Sequence, residues 1–246
     1  MPRKLVVLLI CVVISAVAAE NVSVWAADDH CMDSSKTEPD YYIHQSDVDL
    51  VHILAPPPSV DSQDGKMDLR EVLNEQRVRT EAEVRRAQED ACLSIFRFGD
   101  VMGPGFKSEN LPFTALFFQH VFSDDMHAVA TAKAYFNRPH PFVADSAVRP
   151  VVKQPANAAY PSGHATFAYT AAILLADMVP EKASAIFERA ALYANNRVVA
   201  GIHYPTDVEA GRISGSVIDN VLLHDSRFLG DLGRARAEVR QVIGLQ

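Results

Sequence analysis

The sequence predicts an all-α fold with one compact domain. Apolar residues recur at helical spacing along most of the chain after residue 80, while alternating runs of β-branched residues closed by Asn-Gly or Asp-Gly turns are scarce. The 246 residues, of which 48% are hydrophobic and 22% charged, are enough for one core of ordinary size. We therefore expect helices to build the whole core, without a sheet.

Five helices are predicted, each bounded by a capping, proline or glycine signal. The first begins with the capping-box pair Thr80 and Glu83, and its apolar positions recur at helical spacing until Gly99. The other four are predicted over residues 123–137, 162–179, 181–199 and 206–223.

Residues 1–19 have the pattern of a secretory signal peptide. Arg3 and Lys4 precede an apolar run over residues 5–17, and small residues follow that run. The alternative is a membrane anchor, but the run is shorter than the roughly 20 apolar residues that a hydrocarbon core requires. We therefore predict that the segment is removed and that the mature protein is periplasmic or secreted.

An extended, mostly irregular arm is predicted over residues 20–65, followed by the helical domain over residues 66–246. The arm is polar and contains three consecutive prolines. The mature chain would keep Cys31 in the arm and Cys92 in the domain. In an oxidising compartment the two can form a disulfide, and the alternative is that Cys92 is a small core residue. The sequence leaves both open.

Composition and charge exclude two kinds of partner. The formal net charge of −8 argues against nucleic acid and anionic membrane surfaces, because both attract a basic face. No membrane span is expected after signal removal, since the later apolar run over residues 165–179 is short and contains Asp177. Any anionic small molecule must therefore be bound by a local cluster of cations.

Two cationic side chains fall on the apolar faces of predicted helices. Lys133 occupies the helical step between Val129 and Phe136. Arg197 follows Tyr193 at the same spacing. Each alone can be a long side chain that lies along apolar surface with its charge in water. Two on separate helices favour a shared buried anion, because unpaired buried charges are costly, and phosphate is the anion we expect.

A helix start and a histidine–aspartate pair complete the candidate site. Ser162 can cap a helix whose free amides an anion approaches closely at Gly163, next to His164. His203 and Asp207 lie four residues apart, so the carboxylate can hold one imidazole nitrogen and leave the other for a substrate. Taken singly, a cap of this type is usually only structural, a histidine such as His164 is more often structural than catalytic, and a His–Asp pair can simply stabilise the fold.

Three blocks of the sequence, residues 133–141, 161–164 and 196–207, resemble the motifs of the bacterial class A non-specific acid phosphatases. That family shares a superfamily with type 2 phosphatidic acid phosphatases and vanadium haloperoxidases, and its pattern is Lys-x6-Arg-Pro, Pro-Ser-Gly-His and Ser-Arg-x5-His-x3-Asp. The residues flanking the second and third blocks resemble the acid phosphatases in particular. The resemblance implies a helical domain of the acid phosphatase and haloperoxidase type.

The resemblance also implies a role for each matching residue. His203 becomes the nucleophile that takes the phosphoryl group, Asp207 orients it, and His164 becomes the general acid for the leaving alcohol. Water then cleaves the phosphohistidine. Neither a metal nor another cofactor is required, and activity should peak at mildly acidic to neutral pH. The phosphoryl oxygens would be held by Lys133, His140, Ser162, Gly163 and Arg197.

Two positions depart from the family pattern. His140 replaces the arginine of the first block, and it can donate to phosphate best as an imidazolium, without the two-pronged geometry of a guanidinium. Arg138, two residues earlier, is a candidate to compensate. Asn196 replaces the serine of the third block and is expected to substitute an amide donor for a hydroxyl donor.

Several alternatives stay open. Vanadate-dependent haloperoxidases and lipid phosphatases use the same scaffold, but the small size and the lack of later membrane spans disfavour them. A phosphate-binding protein with a degenerate site is disfavoured because both histidines are retained. A zinc site built from His140, His164, His203 and Asp207 is disfavoured because neighbouring cations would repel the metal. The predicted substrates are small phosphate monoesters, and the leaving group, phosphotransfer to alcohols and a homodimer are left open.

Overall fold

The computed structural model describes residues 31–32 and 40–245. That part of the chain contains helices and no strand, which confirms the all-α prediction. The predicted signal peptide over residues 1–19 lies outside the described residues, as does most of the predicted arm before residue 40. The α-helices are α1 (Leu50–Ile53), α2 (Gln63–Val78), α3 (Glu81–Glu89), α4 (Gly99–Met102), α5 (Pro112–Phe136), α6 (Pro141–Ala144), α7 (Gly163–Met178), α8 (Ala183–Val199), α9 (Pro205–Leu222) and α10 (Ser226–Ile243).

Helix α7 is the central helix and contacts α5, α8, α9 and α10. It is apolar along most of its length, and Phe167, Leu174 and Leu175 are fully buried. A helix that is apolar on every face is expected in the middle of a packed core. Burying one such side chain contributes about 1.5–3 kcal/mol, so α7 holds the helices around it in place.

Two glycines let α9 pack against the first half of α7. A β-carbon at Gly211 would lie 2.6 Å from the carbonyl oxygen of Ser162, and one at Gly215 would lie 2.7 Å from that of Thr166. Any larger residue would push the two helices apart, since both obstacles are backbone atoms. The close approach brings the N-terminal ends of α7 and α9 together.

Three of the five helix predictions are confirmed, because α7, α8 and α9 begin and end within two residues of the predicted bounds. Helix α5 begins at Pro112, earlier than predicted. Its first half was missed because it is buried and lacks an amphipathic pattern. Helices α2 and α10 were not predicted. In the described part of the chain, no helix combines the length and the apolarity that crossing a membrane demands.

The helix predicted to run from Thr80 to Gly99 is too long. Its capping box forms as predicted, with the Thr80 and Glu83 side chains each bonded to the other's backbone N–H. The helix ends at Glu89, because Asp90 turns inward and a 3₁₀ turn begins after Ser94. The apolar residues beyond Asp90 therefore belong to irregular chain and short turns rather than to the helix.

The described part of the predicted arm is docked on the domain. The backbone N–H groups of Tyr41 and Tyr42 donate to the Asp124 carboxylate on α5, at 2.7 Å and 3.0 Å. The short helix α1 lies in the arm. Helix α2 begins at Gln63, shortly before residue 65, where the arm was predicted to end. Cys31 and Cys92 form a disulfide with a Cα–Cα distance of 5.1 Å, which decides between the two readings of these cysteines.

Candidate active site

The candidate site lies where α7 and α9 begin. The backbone N–H of Ser162 donates to the carbonyl of Asp207 at 3.0 Å, so the two helix starts are tied directly. The loop before α9 folds back on the end of α8, where the N–H of His203 donates to the carbonyl of Arg197 at 3.2 Å. Gly201 has a φ of +74°, a conformation that glycine adopts without strain. These backbone contacts bring three helix ends to one place.

His203 and Asp207 form the predicted pair. Nδ1 of His203 lies 3.3 Å from Oδ2 of Asp207, and both side chains are buried. The backbone N–H of Tyr204 donates to the same carboxylate oxygen at 2.9 Å, which fixes its position. With Nδ1 on the carboxylate, Nε2 is the nitrogen available to a substrate.

The surroundings keep His203 neutral. Burial lowers its pKa well below the ordinary value, and Lys133, His140 and Arg197 lower it further, against a backbone hydrogen bond with Ala159 that raises it. A neutral imidazole retains the lone pair that a nucleophile needs. Lys133, His140 and Arg197 therefore lie close enough to His203 to act on its charge.

Arg197 is a buried cation with donors to spare. Its side chain is 4% exposed, and its Nε and Nη1 lack hydrogen-bond partners among the described residues. Burial lowers the pKa of Arg197 to about 10. An unpaired guanidinium in the interior is costly unless an anion completes it. The arrangement therefore suits a small anion with several acceptor oxygens.

Lys133 and His140 lie around the same space. Nζ of half-buried Lys133 donates to the carbonyl of Ala158 at 2.5 Å, and burial lowers its pKa to about 8. Nδ1 of His140 lies 2.6 Å from the carbonyl of Ile202, and its buried Nε2 lacks a partner among the described residues. The rings of His140 and His203 are 5.1 Å apart.

The start of α7 has the predicted capping residue. Oγ of Ser162 accepts from the backbone N–H of Ala165 at 3.4 Å, and Gly163 is the first residue of the helix. Both are buried beside Asp207. The early amides and the helix dipole favour an anion at this end.

The His164 side chain contacts the chain just after the end of α3. Its Nε2 lies 3.2 Å from the carbonyl of Ala91. A carbonyl only accepts, so Nε2 carries the proton and Nδ1 is the nitrogen that exchanges one. Burial lowers the pKa of His164 well below the ordinary value, with Arg197 as the next cause.

Arg138 does not take the place of the missing arginine. Its Nη1 donates to Oδ1 of Asp207 at 2.5 Å and its Nη2 to Oδ2 of Asp68 at 2.7 Å, while its guanidinium stacks 4.0 Å from the Tyr204 ring. Its guanidinium is therefore paired with two buried carboxylates and is not directed at the phosphate site. Burial raises the pKa of Asp207, and Arg138 opposes that rise. Asp68, on α2, is a supporting residue that the sequence did not reveal.

Asn196, which was expected to substitute an amide donor for a hydroxyl donor, does not direct that amide toward the anion site. Its amide donates instead to Oδ2 of Asp90 at 2.7 Å, on the side of α8 that contacts the α3 segment. Asp90 is the second buried carboxylate that the sequence did not reveal. Within residues 31–32 and 40–245, no group of three or more His, Cys, Asp or Glu side chains is placed to hold a metal ion.

Comparisons with known proteins connect this site to a family. Residues 113–230 match the model of the PAP2 superfamily. The chain is 27% identical over 215 residues to a non-specific acid phosphatase of Salmonella typhimurium, covering 84% of this chain and 86% of that protein. It is also 27% identical over 218 residues to an acid phosphatase of Zymomonas mobilis, covering 85% and 81% of the two chains.

The fold is similar to that of a solved structure. It is a bacterial vanadium-dependent iodoperoxidase, superposed with a TM-score of 0.55 at 19% identity over 70% of this chain. The superposition spans 52% of the iodoperoxidase chain, about half of its length. At this identity the likeness concerns the arrangement of helices.

Proposed function

Residues 113–230 form a PAP2 superfamily domain, and from that premise we propose that this protein is an exported, metal-independent acid phosphatase that hydrolyses small phosphate monoesters. The observation that carries the proposal is a neutral His203 that is held by a carboxylate and lies near Arg197, a buried cation with two N–H donors that have no partner among the described residues. Relatives that match most of both chains are named acid phosphatases, which agrees with it.

Binding begins with the phosphate group entering the cationic cluster. Arg197 offers two N–H donors that no described residue engages, and Lys133 and the start of α7 add positive charge. A phosphate dianion supplies the negative charge that the cationic cluster lacks. Its binding therefore lowers the free-energy cost of keeping these cations close together. The same donors stabilise the charge that spreads over the phosphoryl oxygens in the transition state.

In the first chemical step Nε2 of His203 attacks phosphorus, and the bond from phosphorus to the ester oxygen breaks. His164 gives that oxygen a proton, so an alcohol leaves. Asp207 holds the other imidazole nitrogen and balances the charge that develops on the ring. The product is a phosphohistidine at His203.

In the second step water attacks the phosphohistidine. His164, now neutral, takes a proton from that water, and the phosphorus–nitrogen bond breaks to give inorganic phosphate and the starting His203. The pKa of His164 is low in the empty site. A bound dianion raises it again, since an opposite charge favours the imidazolium. Substrate binding therefore loads the general acid with its proton.

The experiment that tests this function is hydrolysis of p-nitrophenyl phosphate at mildly acidic pH with excess chelator. His203→Ala should lower kcat/KM by at least about 10³-fold. His224→Ala is the matched control, because His224 lies just after the end of α9, its side chain is exposed, and its Nδ1 lies 2.6 Å from the Asn220 carbonyl on the last turn of that helix. Rapid denaturation during turnover should trap an acid-labile phosphorylated histidine in the wild type but not in His203→Ala.

Two outcomes would contradict the proposal. Turnover that chelator abolishes would assign the chemistry to a metal. Phosphate binding without turnover would instead assign the site to a phosphate-binding protein. Export is tested separately, by finding the N-terminus of the mature protein after expression with its own leader and by locating it in the periplasmic or secreted fraction.

A further inference from the structure

Asp90 is the centre of a buried polar cluster behind the candidate site. Its two oxygens accept from Nε of Arg97 at 3.0 Å, from Nη1 and Nη2 of Arg189 at 3.0 Å and 2.6 Å, and from Nδ2 of Asn196 at 2.7 Å. The carboxylate is fully buried. Two guanidinium groups and an amide around one carboxylate form a rigid node, because charge-assisted bonds are short and directional.

The node fixes the residues that follow Asp90. The next residue, Ala91, presents its carbonyl to Nε2 of His164 at 3.2 Å. The carbonyl of Cys92 accepts from the hydroxyl of Tyr193 on α8, and Cys92 is bonded to Cys31. The short segment is thus held by a carboxylate on one side and a disulfide on the other. The carbonyl oxygen of Ala91, which contacts His164, lies between Asp90 and the disulfide.

We propose that Asp90 is a positioning residue for His164, acting through the Ala91 carbonyl to keep the proton on Nε2 and Nδ1 toward the leaving group. The inference rests on the proposed function, since it assigns a purpose to the geometry of the general acid. It extends the site to Asp90 at the C-terminal end of α3, outside the three sequence blocks that match the family motifs.

The chemistry explains why such a fixed acceptor is useful. In the first step the imidazolium of His164 loses the Nδ1 proton to the ester oxygen as the phosphorus–oxygen bond breaks, while the other proton stays on Nε2, hydrogen-bonded to the Ala91 carbonyl. In the second step the bare Nδ1 takes a proton from the attacking water. A backbone carbonyl cannot donate, so the wrong tautomer is excluded in both steps. It also favours the imidazolium, against the influence of Arg197 and Lys133.

Leaving-group dependence tests the proposal. A poor leaving group such as an alkoxide needs the general acid, whereas 2,4-dinitrophenolate leaves with little protonation. Asp90→Asn should therefore lower kcat/KM for ethyl phosphate by about ten-fold or more, and that for 2,4-dinitrophenyl phosphate by less than about three-fold. The alkaline limb of the kcat/KM profile for ethyl phosphate should move down by about one pH unit.

The matched control is a second aspartate that pairs with Arg189, one of the two arginines bound to Asp90. Asp100 lies 3.2 Å from Nε of Arg189, but its side chain is 60% exposed. Asp100→Asn should leave the ratio of the two kcat/KM values unchanged. Circular dichroism establishes that each variant is folded. If Asp90→Asn does not fold, the Cys31→Ser/Cys92→Ser variant releases the other anchor and decides the question, with the same change in ratio expected.

The outcomes separate this inference from the proposed function. A wild-type protein that hydrolyses neither ester refutes the proposed function and this inference with it. A wild type that hydrolyses both, with a folded anchor variant that lowers both kcat/KM values equally or not at all, overturns the role of Asp90 and leaves the proposed function standing. A selective loss on ethyl phosphate supports both.

Discussion

The backbone N–H of Ser162 donates to the carbonyl of Asp207 at 3.0 Å, and this bond ties the start of α7 to the first turn of α9. Asp207 meets Nδ1 of His203 through its side chain at 3.3 Å. The helix start that we propose to bind the anion and the proposed nucleophile are therefore parts of one rigid unit. Changes that disturb the contact between α7 and α9 should affect the chemistry as well as the fold.

Arg138 should be essential for holding Asp207. Arg138→Gln removes the guanidinium from between Asp68 and Asp207, both buried. Breaking a buried ion pair by removing one partner costs about 3–5 kcal/mol, so the free energy of unfolding in urea should fall by that order. We expect kcat/KM to fall by about 10²-fold as His203 loses its orientation.

The control for Arg138→Gln is Arg212→Gln. Arg212 pairs with Glu209 on the outer face of α9, where both side chains are about half exposed. A surface pair of this kind is worth less than about 1 kcal/mol. Equal losses of stability in the two variants would contradict the role given to Arg138.

His140 should strengthen phosphate binding only at low pH. Because its Nδ1 donates to the Ile202 carbonyl, the neutral ring presents a bare Nε2, which repels a phosphate oxygen. Burial lowers the pKa of His140, so the ring is neutral at pH 7 and gains its second proton as the pH falls. Protonation turns Nε2 into a charged donor.

The measurement is competitive inhibition by inorganic phosphate in wild type and His140→Gln. Comparing the two variants cancels the titration of phosphate itself. The inhibition constant of the variant, divided by that of the wild type, should rise from about one at pH 8 to about ten at pH 5. A ratio that does not depend on pH would show that His140 makes no charge-dependent contact.

The sequence predicted the parts of the site that follow from spacing along one helix. Lys133 and Arg197 occupy steps of a helical period, and His203 and Asp207 lie four residues apart, so each could be inferred locally. Asp68 and Asp90 could not, because they meet Arg138 and Asn196 across 70 and 106 residues of chain. Such pairings depend on how helices pack, which periodicity does not encode.

The same reasoning explains the misjudged helices. The first half of α5 is buried around residues such as Phe117 and Phe122 and offers no polar face to mark its period. The stretch after Glu89 keeps a helical pattern of apolar residues, yet Asp90 is drawn into its cluster and the helix stops. Contacts with other parts of the fold therefore determine where α5 begins and where α3 ends.

Gly211→Ala should damage both stability and activity. The added methyl group would lie 2.6 Å from the Ser162 carbonyl and 2.7 Å from the Ala165 β-carbon, so the helices must separate. Overpacking of this kind costs about 1–3 kcal/mol, and moving α7 away from α9 should lower kcat/KM by at least about ten-fold. Urea unfolding and p-nitrophenyl phosphate kinetics measure the two effects.

The matched control is Gly230→Ala on α10. A β-carbon there has nothing within 4 Å. Because glycine is costly inside a helix, this change should raise the free energy of unfolding by about 0.5–1 kcal/mol and leave activity as it was. Similar behaviour of the two variants would mean that the α7–α9 contact tolerates the methyl group.

Two buried acids away from the site should make stability depend on pH. Neither carboxylate oxygen of Asp219 on α9 has a partner among the described residues, nor does Oδ2 of Asp125 on α5. Oδ1 of Asp125 accepts from Thr170 on α7 at 3.0 Å. Burial raises the pKa of Asp219 well above the ordinary value, and Asp125 raises it further. Burial likewise raises the pKa of Asp125.

Because its folded-state pKa is raised, the folded protein holds the Asp219 proton at pH values where the unfolded chain has lost it. The stabilisation is complete below the unfolded value of about 3.9 and is lost as the pH rises through the folded pKa. Asp219→Asn keeps the side chain uncharged at every pH. It should therefore raise the free energy of unfolding by about 1–3 kcal/mol at pH 8 and change it little at pH 4. Urea unfolding at both pH values, beside the exposed Asp61→Asn as control, measures this difference. A gain at pH 4 equal to that at pH 8 would show that the charge of Asp219 is not what limits stability.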